Sequence, residues 1–305
     1  MNMVYTLTFN PALDFIMKVD NLSTDDINRT TSEEILYGGK GINVSAILRE
    51  LDIDSVSLGF VAGFTGGELK RLMEEDGLKS DFVELDEGMT RINVKVRSDK
   101  ELDINSGGPN IPQAKIDELF MKLDTLKEGD YLILAGSVPS SIPDDIYSRI
   151  IEKVVSKGVK VAVDTTGDQL MNTLKFKPFL IKPNHHELGE IFGKTLKDTE
   201  EIIHYAKELQ KLGAVNVIVS RGGDGSILVD ENGCEYIAPA VPGKLVSSVG
   251  CGDSMVAGFI AGTLKKPGEY GDALKLATAC GSATAFSIRL AKKEEINAIY
   301  DSLTD

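Results

Sequence analysis

The chain has 305 residues, of which 42% are hydrophobic and 26% charged, a composition typical of a globular protein rather than a disordered or fibrous one. Its formal net charge at pH 7 is −14, and no lysine- and arginine-rich block stands out, which argues against a nucleic-acid partner. Cys234, Cys251 and Cys280 have spacings that fit neither a zinc site nor a disulfide framework. Because we find neither a signal-peptide pattern nor an apolar run long enough to span a bilayer, we predict a cytoplasmic protein with no membrane partner.

Short β-branched runs alternate with amphipathic stretches along most of the chain. The runs predict buried strands over residues 4–9, 55–62, 131–135, 159–163, 179–182 and 215–220. Helical periodicity predicts helices that include residues 113–126, 199–212, 253–264, 270–288 and 292–303. This alternation is typical of a mostly parallel sheet with helices on both faces, and such sheets bind ligands at the carboxyl ends of their strands.

Two regions break this alternation. Residues 14–19 with 32–37, and residues 90–97 with 101–105, alternate in polarity without a helix between them, which predicts a small separate antiparallel sheet. A sheet without a covering helix must bury one face against the main domain, a ligand or another subunit. We therefore expect a single domain over residues 1–305, with a lid formed by residues 12–37 and 89–106 that also carries a dimer interface.

Two glycine-rich segments each lead into a predicted helix. The first, Gly38-Gly39-Lys40-Gly41, is not a Walker loop, because the Walker spacing and the Ser/Thr after the lysine are absent. Its glycines allow the backbone to approach a ligand closely, while Lys40 and Asn43 offer a cation and an amide to phosphate and hydroxyl groups. The alternative is a C-cap turn with a solvated lysine.

The second glycine-rich segment is Gly250-Cys251-Gly252-Asp253, at the start of an apolar helix. The unpaired N–H groups at a helix start carry partial positive charge and bind anions. A carboxylate beside a bound phosphate is unfavourable unless it takes a proton from an attacking hydroxyl, so Asp253 indicates a kinase. The alternative is a close helix contact through Ala257, Gly258 and Ala261, which does not explain the first four residues.

Three polar side chains, those of Arg91, Asn93 and Lys95, alternate along one predicted strand and therefore share a face. On a lid above an anionic sugar, the planar guanidinium of Arg91 suits a phosphate. The alternative is an ordinary solvated strand face.

Residues 182–187 follow a predicted buried strand and open a helix. Asn184 stands at the N-cap with Glu187 in the first turn, which predicts a capping box; alternatively, the two form an outer shell for magnesium, which takes few protein ligands. The neighbouring His185 and His186 are predicted to point apart, which argues against zinc. The glycine-rich residues 220–226 predict either a tight hairpin or a cradle of N–H groups for nucleotide phosphates.

Taken together, these motifs resemble the ribokinase-like, or PfkB, family of sugar kinases, over about residues 4–298. Residues 38–43 match the N-terminal motif of that family, residues 249–253 its C-terminal motif, and residues 184–187 its magnesium-associated Asn-x-x-Glu. The resemblance implies a Rossmann-like core with a β-lid, the use of ATP and Mg²⁺, and a homodimer formed through the lid. Cys251 departs from the usual alanine, and the sequence leaves open whether its thiol is reactive.

The resemblance also assigns roles by position. It implies that Asp253 is the catalytic base and that an anion hole is formed by the N–H groups of Gly250, Cys251, Gly252 and Asp253. It implies that the sugar hydroxyls and the sugar phosphate are bound by Asp14, Gly38, Gly39, Lys40, Asn43, Arg91, Arg29 and Ser137. It implies that ATP is bound along Lys182, Asn184, Ser220, Gly222, Gly223 and Gly225, with Glu187 near Mg²⁺, through water.

The activity implied by the resemblance is transfer of the γ-phosphate of ATP to the C6 hydroxyl of a phosphorylated ketohexose, fructose 1-phosphate. The alternative acceptor is the C1 hydroxyl of tagatose 6-phosphate. A non-catalytic sugar-phosphate sensor is a rival, although it has little use for a base beside a phosphate. A nicotinamide dehydrogenase would need Gly-x-Gly-x-x-Gly after the first strand, where residues 10–14 are Asn-Pro-Ala-Leu-Asp instead.

Overall fold

The computed structural model describes residues 2–99 and 101–303. Lys100, inside the predicted lid, and residues 1, 304 and 305 of the predicted domain lie outside the described residues. The strands in chain order are β1 (Val4–Thr8), β2 (Ala12–Lys18), β3 (Ser32–Gly38), β4 (Ser55–Ala62), β5 (Lys79–Ser80), β6 (Val83–Leu85), β7 (Arg91–Arg97), β8 (Glu101–Asn105), β9 (Tyr131–Ala135), β10 (Lys160–Asp164), β11 (Leu180–Ile181), β12 (Asn216–Ser220), β13 (Ser226–Val229) and β14 (Glu235–Ala238).

The helices cover most of the remaining chain. In chain order they are α1 (Lys40–Glu50), α2 (Gly63–Glu75), α3 (Gln113–Leu123), α4 (Ile146–Val155), α5 (Gly167–Thr173), α6 (His185–Ile191), α7 (Thr199–Lys211), α8 (Cys251–Lys265), α9 (Tyr270–Phe286) and α10 (Lys293–Ser302).

The larger sheet has the strand order β14-β13-β12-β11-β10-β9-β1-β4-β5, with β6 also paired to β4. Strands from β12 to β5 are parallel, whereas β13 and β14 are antiparallel additions at one edge. The predicted, mostly parallel sheet is therefore confirmed. The chain continues from β1 to β4 on one side and returns to β9 on the other, so the strand order reverses beside β1, where open α/β sheets form their ligand crevice.

Helices cover both faces of this sheet. One buried cluster packs α3, α4, α6 and α7 against one face, and a second packs α1, α8, α9 and α10 against the other. Helix α8 is buried nearly all round, as expected of an apolar core helix. A Cβ on Gly258 would lie 2.8 Å from the Cα of Ala277, so the close helix contact suggested by the small residues exists and accompanies the glycine-rich start of the helix.

The smaller sheet has the order β3-β2-β7-β8 and is separate from the larger one. Its hairpins β2–β3 and β7–β8 are antiparallel as predicted, but β2 and β7 pair in parallel, so the prediction of a wholly antiparallel sheet is wrong. Both strands leave the same edge of the main sheet: β2 follows β1, and the N–H of Thr90, just before β7, donates to the carbonyl of Ala62 at the end of β4. Two strands that start from one edge run in the same direction.

The two faces of the smaller sheet differ in polarity because successive side chains alternate between them. One face carries Asp14, Asn93 and Lys95 and is turned toward the main domain. The opposite face includes Phe15, Ile35, Val94 and Ile104, and we call these four residues the outer lid face. Ile35 and Ile104 are 46% and 54% exposed.

Candidate active site

Several polar side chains meet at the carboxyl edge of the main sheet. Asn10, Ser137, Asp164, Lys182 and Ser220 stand at or just after the ends of β1, β9, β10, β11 and β12. Because parallel strands end at the same edge, the fold collects these residues around the crevice beside β1. Asp164 is not among the residues predicted from the sequence.

The start of α8 supplies the centre of this site. Gly250 caps the helix with a left-handed φ of 79°, and a Cβ there would lie 2.6 Å from Leu290 Cδ2, so the position requires glycine. Asp253 is buried in the first turn, and its Oδ2 accepts a hydrogen bond of 2.8 Å from Asn43 Nδ2. The two predicted glycine-rich helix starts are thereby joined through their polar side chains.

The surroundings of Asp253 make it a stronger base than an exposed carboxylate. Burial, followed by the negative charge of Asp164, raises the pKa of Asp253 to about 6, although Asn43, Lys40 and Lys182 act in the opposite direction. A carboxylate with this pKa is mostly ionised at neutral pH and still accepts a proton readily. The predicted base therefore has an acid–base property that suits the role.

A buried carboxylate links two lysines beside Asp253. Asp164 Oδ2 lies 3.2 Å from Lys40 Nζ, and Oδ1 lies 3.2 Å from Lys182 Nζ. Burial opposes ionisation of Asp164, but Lys182 and Lys40 outweigh it and hold the pKa of Asp164 below its ordinary value. Lys182 Nζ lies 3.0 Å from where a Cβ on Gly252 would be, so positive charge meets the N-terminus of α8 in a place suited to an anion.

The thiol of Cys251 contacts the carbonyl of Ser247, with Sγ 3.5 Å from the oxygen. Burial, followed by the charge of Asp253, raises the pKa of Cys251 to about 11. The thiol is therefore neutral at pH 7, because the helix start does not offset these effects. The structure answers the question left open by the sequence: Cys251 is not an activated thiolate.

The lid wall of the cleft is organised around Asp14. Its Oδ1 accepts a hydrogen bond of 2.9 Å from Asn93 Nδ2, and its Oδ2 pairs with Lys95 Nζ at 2.6 Å. The carboxylate lies against Gly38, where a Cβ would be 3.0 Å from Asp14 Cγ. Gly39 follows and caps α1, the helix that carries Asn43, and Asp14 and Asn43 both line the groove between the lid and the main domain.

Two buried acceptor oxygens near this wall have no partner. Asn10 Oδ1 and Asn93 Oδ1 make no hydrogen bond with any residue in the described ranges. Buried acceptors are normally satisfied, so these atoms match a ligand that brings donors, such as hydroxyl groups. The sequence predicts that Asn93 lies on a polar strand face but indicates no role for it, and Asn10 differs from a dinucleotide-binding motif without indicating another role.

The predicted phosphate ligands are only partly brought together. Arg91 Nε donates to the carbonyl of Asn10 at 3.0 Å, which holds the guanidinium beside the segment that follows β1. Ser137 is exposed and directly follows Gly136, where a Cβ would lie 3.9 Å from Lys40 Cβ. Arg29, in contrast, is exposed in the connection between β2 and β3 and makes no hydrogen bond or ion pair with any described residue.

A groove of about 780 Å³ runs between the lid and the main domain. Asp14 and Lys95 line it from the lid, Asn43 lines it from α1, and residues 245–249 and 288–292 form the opposite wall. This volume is in the range of small-molecule sites, roughly 300–1,000 Å³. The groove adjoins Asp253 through Asn43, so a ligand in it can reach the start of α8.

Asn184, just after β11, and Ser220, the last residue of β12, form an isolated parallel β-bridge. Asn184 Oδ1 accepts the N–H groups of His186 and Glu187, both at 2.9 Å, and Glu187 Oε2 accepts the N–H of Asn184 at 2.8 Å. The capping box predicted as one alternative is therefore present, and Glu187 Oε1 takes no part in it.

The histidines and acidic residues of this region do not form a metal cage. Within residues 2–99 and 101–303, no group of three or more His, Cys, Asp or Glu side chains is arranged to hold a metal. The rings of His185 and His186 lie 3.8 Å apart between centroids, so the prediction that they point apart is wrong: side-chain rotation offsets their angular separation on the helix. A magnesium ion that keeps most of its waters remains compatible with Glu187.

The turn after β12 contains one glycine that packing requires and two glycines whose surroundings are open. The antiparallel β12–β13 pair shows that the segment is a hairpin, and a Cβ on Gly225 would lie 2.2 Å from the carbonyl oxygen of Ala238, so Gly225 is required by packing. A Cβ on Gly222 or Gly223 would meet nothing within 4 Å, so this backbone is open to a ligand. Arg221 donates to Thr199 Oγ1 at 3.1 Å and braces the turn.

Comparisons with known proteins give similarity along nearly the whole chain. The family described as pfkB family carbohydrate kinase matches residues 2–295. The 1-phosphofructokinase of Bacillus subtilis strain 168 is 44% identical over 298 residues, 97% of each chain. The D-tagatose-1-phosphate kinase of Bacillus licheniformis is 38% identical over 286 residues, 93% of each chain. The crystal structure of phosphofructokinase-2 from Escherichia coli in complex with fructose-6-phosphate is 25% identical, with a TM-score of 0.92 over 100% of both chains.

Proposed function

The chain belongs to the PfkB family of carbohydrate kinases, with the ribokinase-like fold, and we propose that it transfers the γ-phosphate of ATP to the C6 hydroxyl of fructose 1-phosphate. The product is fructose 1,6-bisphosphate. The observation that carries the proposal is the position of Asp253: a buried carboxylate with a pKa of about 6, in the first turn of α8, next to the lid cleft. A base at an anion-binding helix start is what phosphoryl transfer to a hydroxyl needs.

In the proposed reaction Asp253 accepts the proton of the C6 hydroxyl while that oxygen bonds to the γ-phosphorus. The bond from the γ-phosphorus to the bridging oxygen breaks, and ADP leaves with the electron pair. The N–H groups of Gly250, Cys251, Gly252 and Asp253, together with the ammonium of Lys182, stabilise the charge on the transferred group. Most of the rate enhancement then comes from positioning and fixed charges.

The acceptor sugar lies in the lid cleft in this proposal. Asp14, Asn43 and the backbone at Gly38 and Gly39 bind its hydroxyl groups, and the unpartnered oxygen of Asn93 accepts a further one. The C1 phosphate is bound by Lys40, Arg91 and Ser137. The predicted role of Arg29 has no supporting contact in the structure and stays a prediction.

ATP lies on the opposite side of α8 in this proposal, along Lys182, Asn184, Ser220 and the open backbone of Gly222 and Gly223. Gly225 acts by keeping the turn in shape. Glu187 would hold Mg²⁺ through water, and its Oε1 is available for this contact because the capping box uses only Oε2. The ion, when bound, neutralises charge on the phosphates of ATP.

Tagatose 1-phosphate is the second candidate acceptor, because a relative that is 38% identical is named D-tagatose-1-phosphate kinase. Tagatose differs from fructose only in the configuration at C4, so both 1-phosphates present a C6 hydroxyl to Asp253 in the same pose. The alternative predicted from the sequence was tagatose 6-phosphate, which carries its phosphate at the other end. The name of this relative favours tagatose 1-phosphate over tagatose 6-phosphate as the alternative substrate.

A coupled ADP-release assay tests the proposal with fructose 1-phosphate, tagatose 1-phosphate, tagatose 6-phosphate, fructose 6-phosphate and fructose. We expect the highest kcat/KM with fructose 1-phosphate and the lowest with fructose, which lacks the phosphate for Lys40 and Arg91. A preference for either tagatose phosphate would change the assigned sugar but keep the kinase. Inactivity with all five would favour the non-catalytic sensor.

We also propose that the chain acts as one kinase domain and forms a homodimer through the outer lid face, where Ile35 and Ile104 are exposed. Exposed apolar residues on a sheet with no covering helix are a suitable subunit contact. Cys234, Cys251 and Cys280 are all free, in keeping with the proposed cytoplasmic location. In the described part of the chain, the helices are too short or too polar to cross a membrane.

A further inference from the structure

Asp164 lies between the two halves of the proposed site and has no role in the reaction described so far. We propose that Asp164 is a positioning residue: its carboxylate holds the ammonium of Lys40 toward the sugar phosphate and that of Lys182 toward the transferred phosphate. The inference rests on the proposed kinase function and adds a residue that connects the acceptor and donor sides.

The contacts of Asp164 carry this inference. Each carboxylate oxygen pairs with a different lysine, Oδ2 with Lys40 and Oδ1 with Lys182, both at 3.2 Å. Among the described residues, neither lysine makes a hydrogen bond or ion pair with any other side chain. A lysine side chain has many rotamers, and fixing one of them costs conformational entropy, so a single shared anchor determines where both ammonium groups lie.

The backbone makes Asp164 a rigid anchor. It is the last residue of β10, it is paired in register with Ala135 of β9, and its carbonyl accepts the N–H of Gly136 at 3.3 Å. Lys182 directly follows β11, and Lys40 is the first residue of α1. Side chains from three different elements thus converge on one carboxylate that is 6% exposed.

Asp164 also acts on the base by charge. The charged groups that face Asp253 are Asp164 from β10, Lys40 from α1 and Lys182 after β11, and Asn43 adds a hydrogen bond. Asp164 opposes ionisation of Asp253, whereas the two lysines favour it. If Asp164 is neutralised, only the two lysines act on Asp253 by charge. The pKa of Asp253 should then fall. A residue that served only to stabilise the fold would not shift the titration of Asp253 in this way.

Asp164→Asn tests the proposal, because asparagine keeps the shape and removes the charge. We expect kcat with fructose 1-phosphate to fall about 100-fold, the cost of misplacing charged groups by about 1 Å, with a smaller change in KM. We also expect the acidic limb of the kcat profile to move to lower pH. Asp164→Glu restores the charge at a different distance, so the acidic limb should return toward that of the wild type while kcat stays reduced.

The matched control is Asp130→Asn. Asp130 is equally buried, at 7% exposure, but it lies at the amino end of β9 and accepts the N–H groups of Met3 and Lys127. This variant should lose stability and keep the pH profile. If Asp164→Asn behaved like Asp130→Asn, with a lower unfolding temperature but an unchanged acidic limb and kcat, Asp164 would be structural only. Full kcat in Asp164→Glu would also contradict a positioning role.

A measurement without substrate separates this inference from the proposed function. Protein labelled with ¹³C at aspartate carboxyls is titrated by NMR, and the Asp253 signal is assigned from its loss in Asp253→Asn. The pKa of Asp253 should be lower in Asp164→Asn than in the wild type, and an equal pKa would contradict the coupling. Wild-type protein that phosphorylates none of the sugars would overturn the function, while this titration would still decide the coupling.

Discussion

Two aspartates lie near the same groove, Asp14 in its lid wall and Asp253 behind Asn43, and their partners differ. Asp14, on the lid, pairs with Lys95 at 2.6 Å and accepts a hydrogen bond from Asn93, so its charge is compensated and its oxygens are fixed. Asp253, in the main domain, accepts a hydrogen bond from the neutral amide of Asn43 and faces the negative charge of Asp164. The different partners fit the two proposed roles, in which Asp14 binds hydroxyl groups of the sugar and Asp253 accepts a proton.

The largest expected effect comes from Asp253→Asn. Loss of a general base should lower kcat by about 10²- to 10⁴-fold, with little change in the KM for either substrate. The matched change on the lid, Asp14→Asn, should instead raise mainly the KM for the phosphosugar. Steady-state kinetics of both variants test the comparison, and equal losses of kcat would abolish the distinction between a binding and a proton-accepting aspartate.

Asp253→Asn should also increase the thermal stability of the protein at pH 8. The pKa of Asp253 in the folded state, about 6, is above its ordinary value of 3.8. The folded protein therefore binds more protons than the unfolded chain between these values, and this carboxyl costs stability as pH rises through that window. At pH 8 Asp253→Asn should melt at a higher temperature than the wild type. A lower melting temperature would show that the ionised carboxylate stabilises the fold.

Arg91→Ala tests the lid side of the comparison. Removing a charge-assisted hydrogen bond of about 1.5–3 kcal/mol to the sugar phosphate should raise the KM for fructose 1-phosphate about 10- to 100-fold. The value of kcat should change less, and weak activity on unphosphorylated fructose should be unaffected, because fructose offers no phosphate to Arg91. An unchanged KM for fructose 1-phosphate would remove Arg91 from the phosphate site.

A smaller effect is expected from pH alone. Because Asp253 accepts a proton only as a carboxylate and its pKa is about 6, kcat/KM of the wild type should fall about tenfold per pH unit below pH 6. The rate should be nearly constant from pH 7 to 8. A profile that stays flat down to pH 5 would show that Asp253 is not the titrating base.

The smallest effect on turnover is expected from the outer lid face. Ile104→Glu places a charge on an apolar residue there and should convert a dimer to a monomer in sedimentation velocity, while kcat stays within about twofold. The control is Met121→Glu on α3, where the side chain is 62% exposed outside the lid. If Ile104→Glu and Met121→Glu sedimented alike, the proposed interface would be wrong.

Much of the fold could be predicted because its determinants are local. The strands at residues 55–62, 131–135 and 101–105 have the predicted bounds. The bounds could be predicted because a β-branched or alternating run begins and ends at the same residues as the strand that it forms. The parallel pairing of β2 with β7 could not be predicted in this way. It depends on where both hairpins leave the main sheet, and no short stretch of sequence contains that information.

The features of the candidate site also differ in whether they depend on neighbouring residues or on residues far apart in the chain. The glycine-rich helix starts and the carboxylate in the first turn of α8 could be predicted from the sequence, and so could the capping box at Asn184 as one of two alternatives, because each motif consists of neighbouring residues. Three further features depend on tertiary contacts: Asp164 joins Lys40 to Lys182, Arg29 makes no hydrogen bond or ion pair with any described residue, and the pKa of Asp253 is raised. The physical reason is that burial and charge interactions depend on distances between residues far apart in the chain.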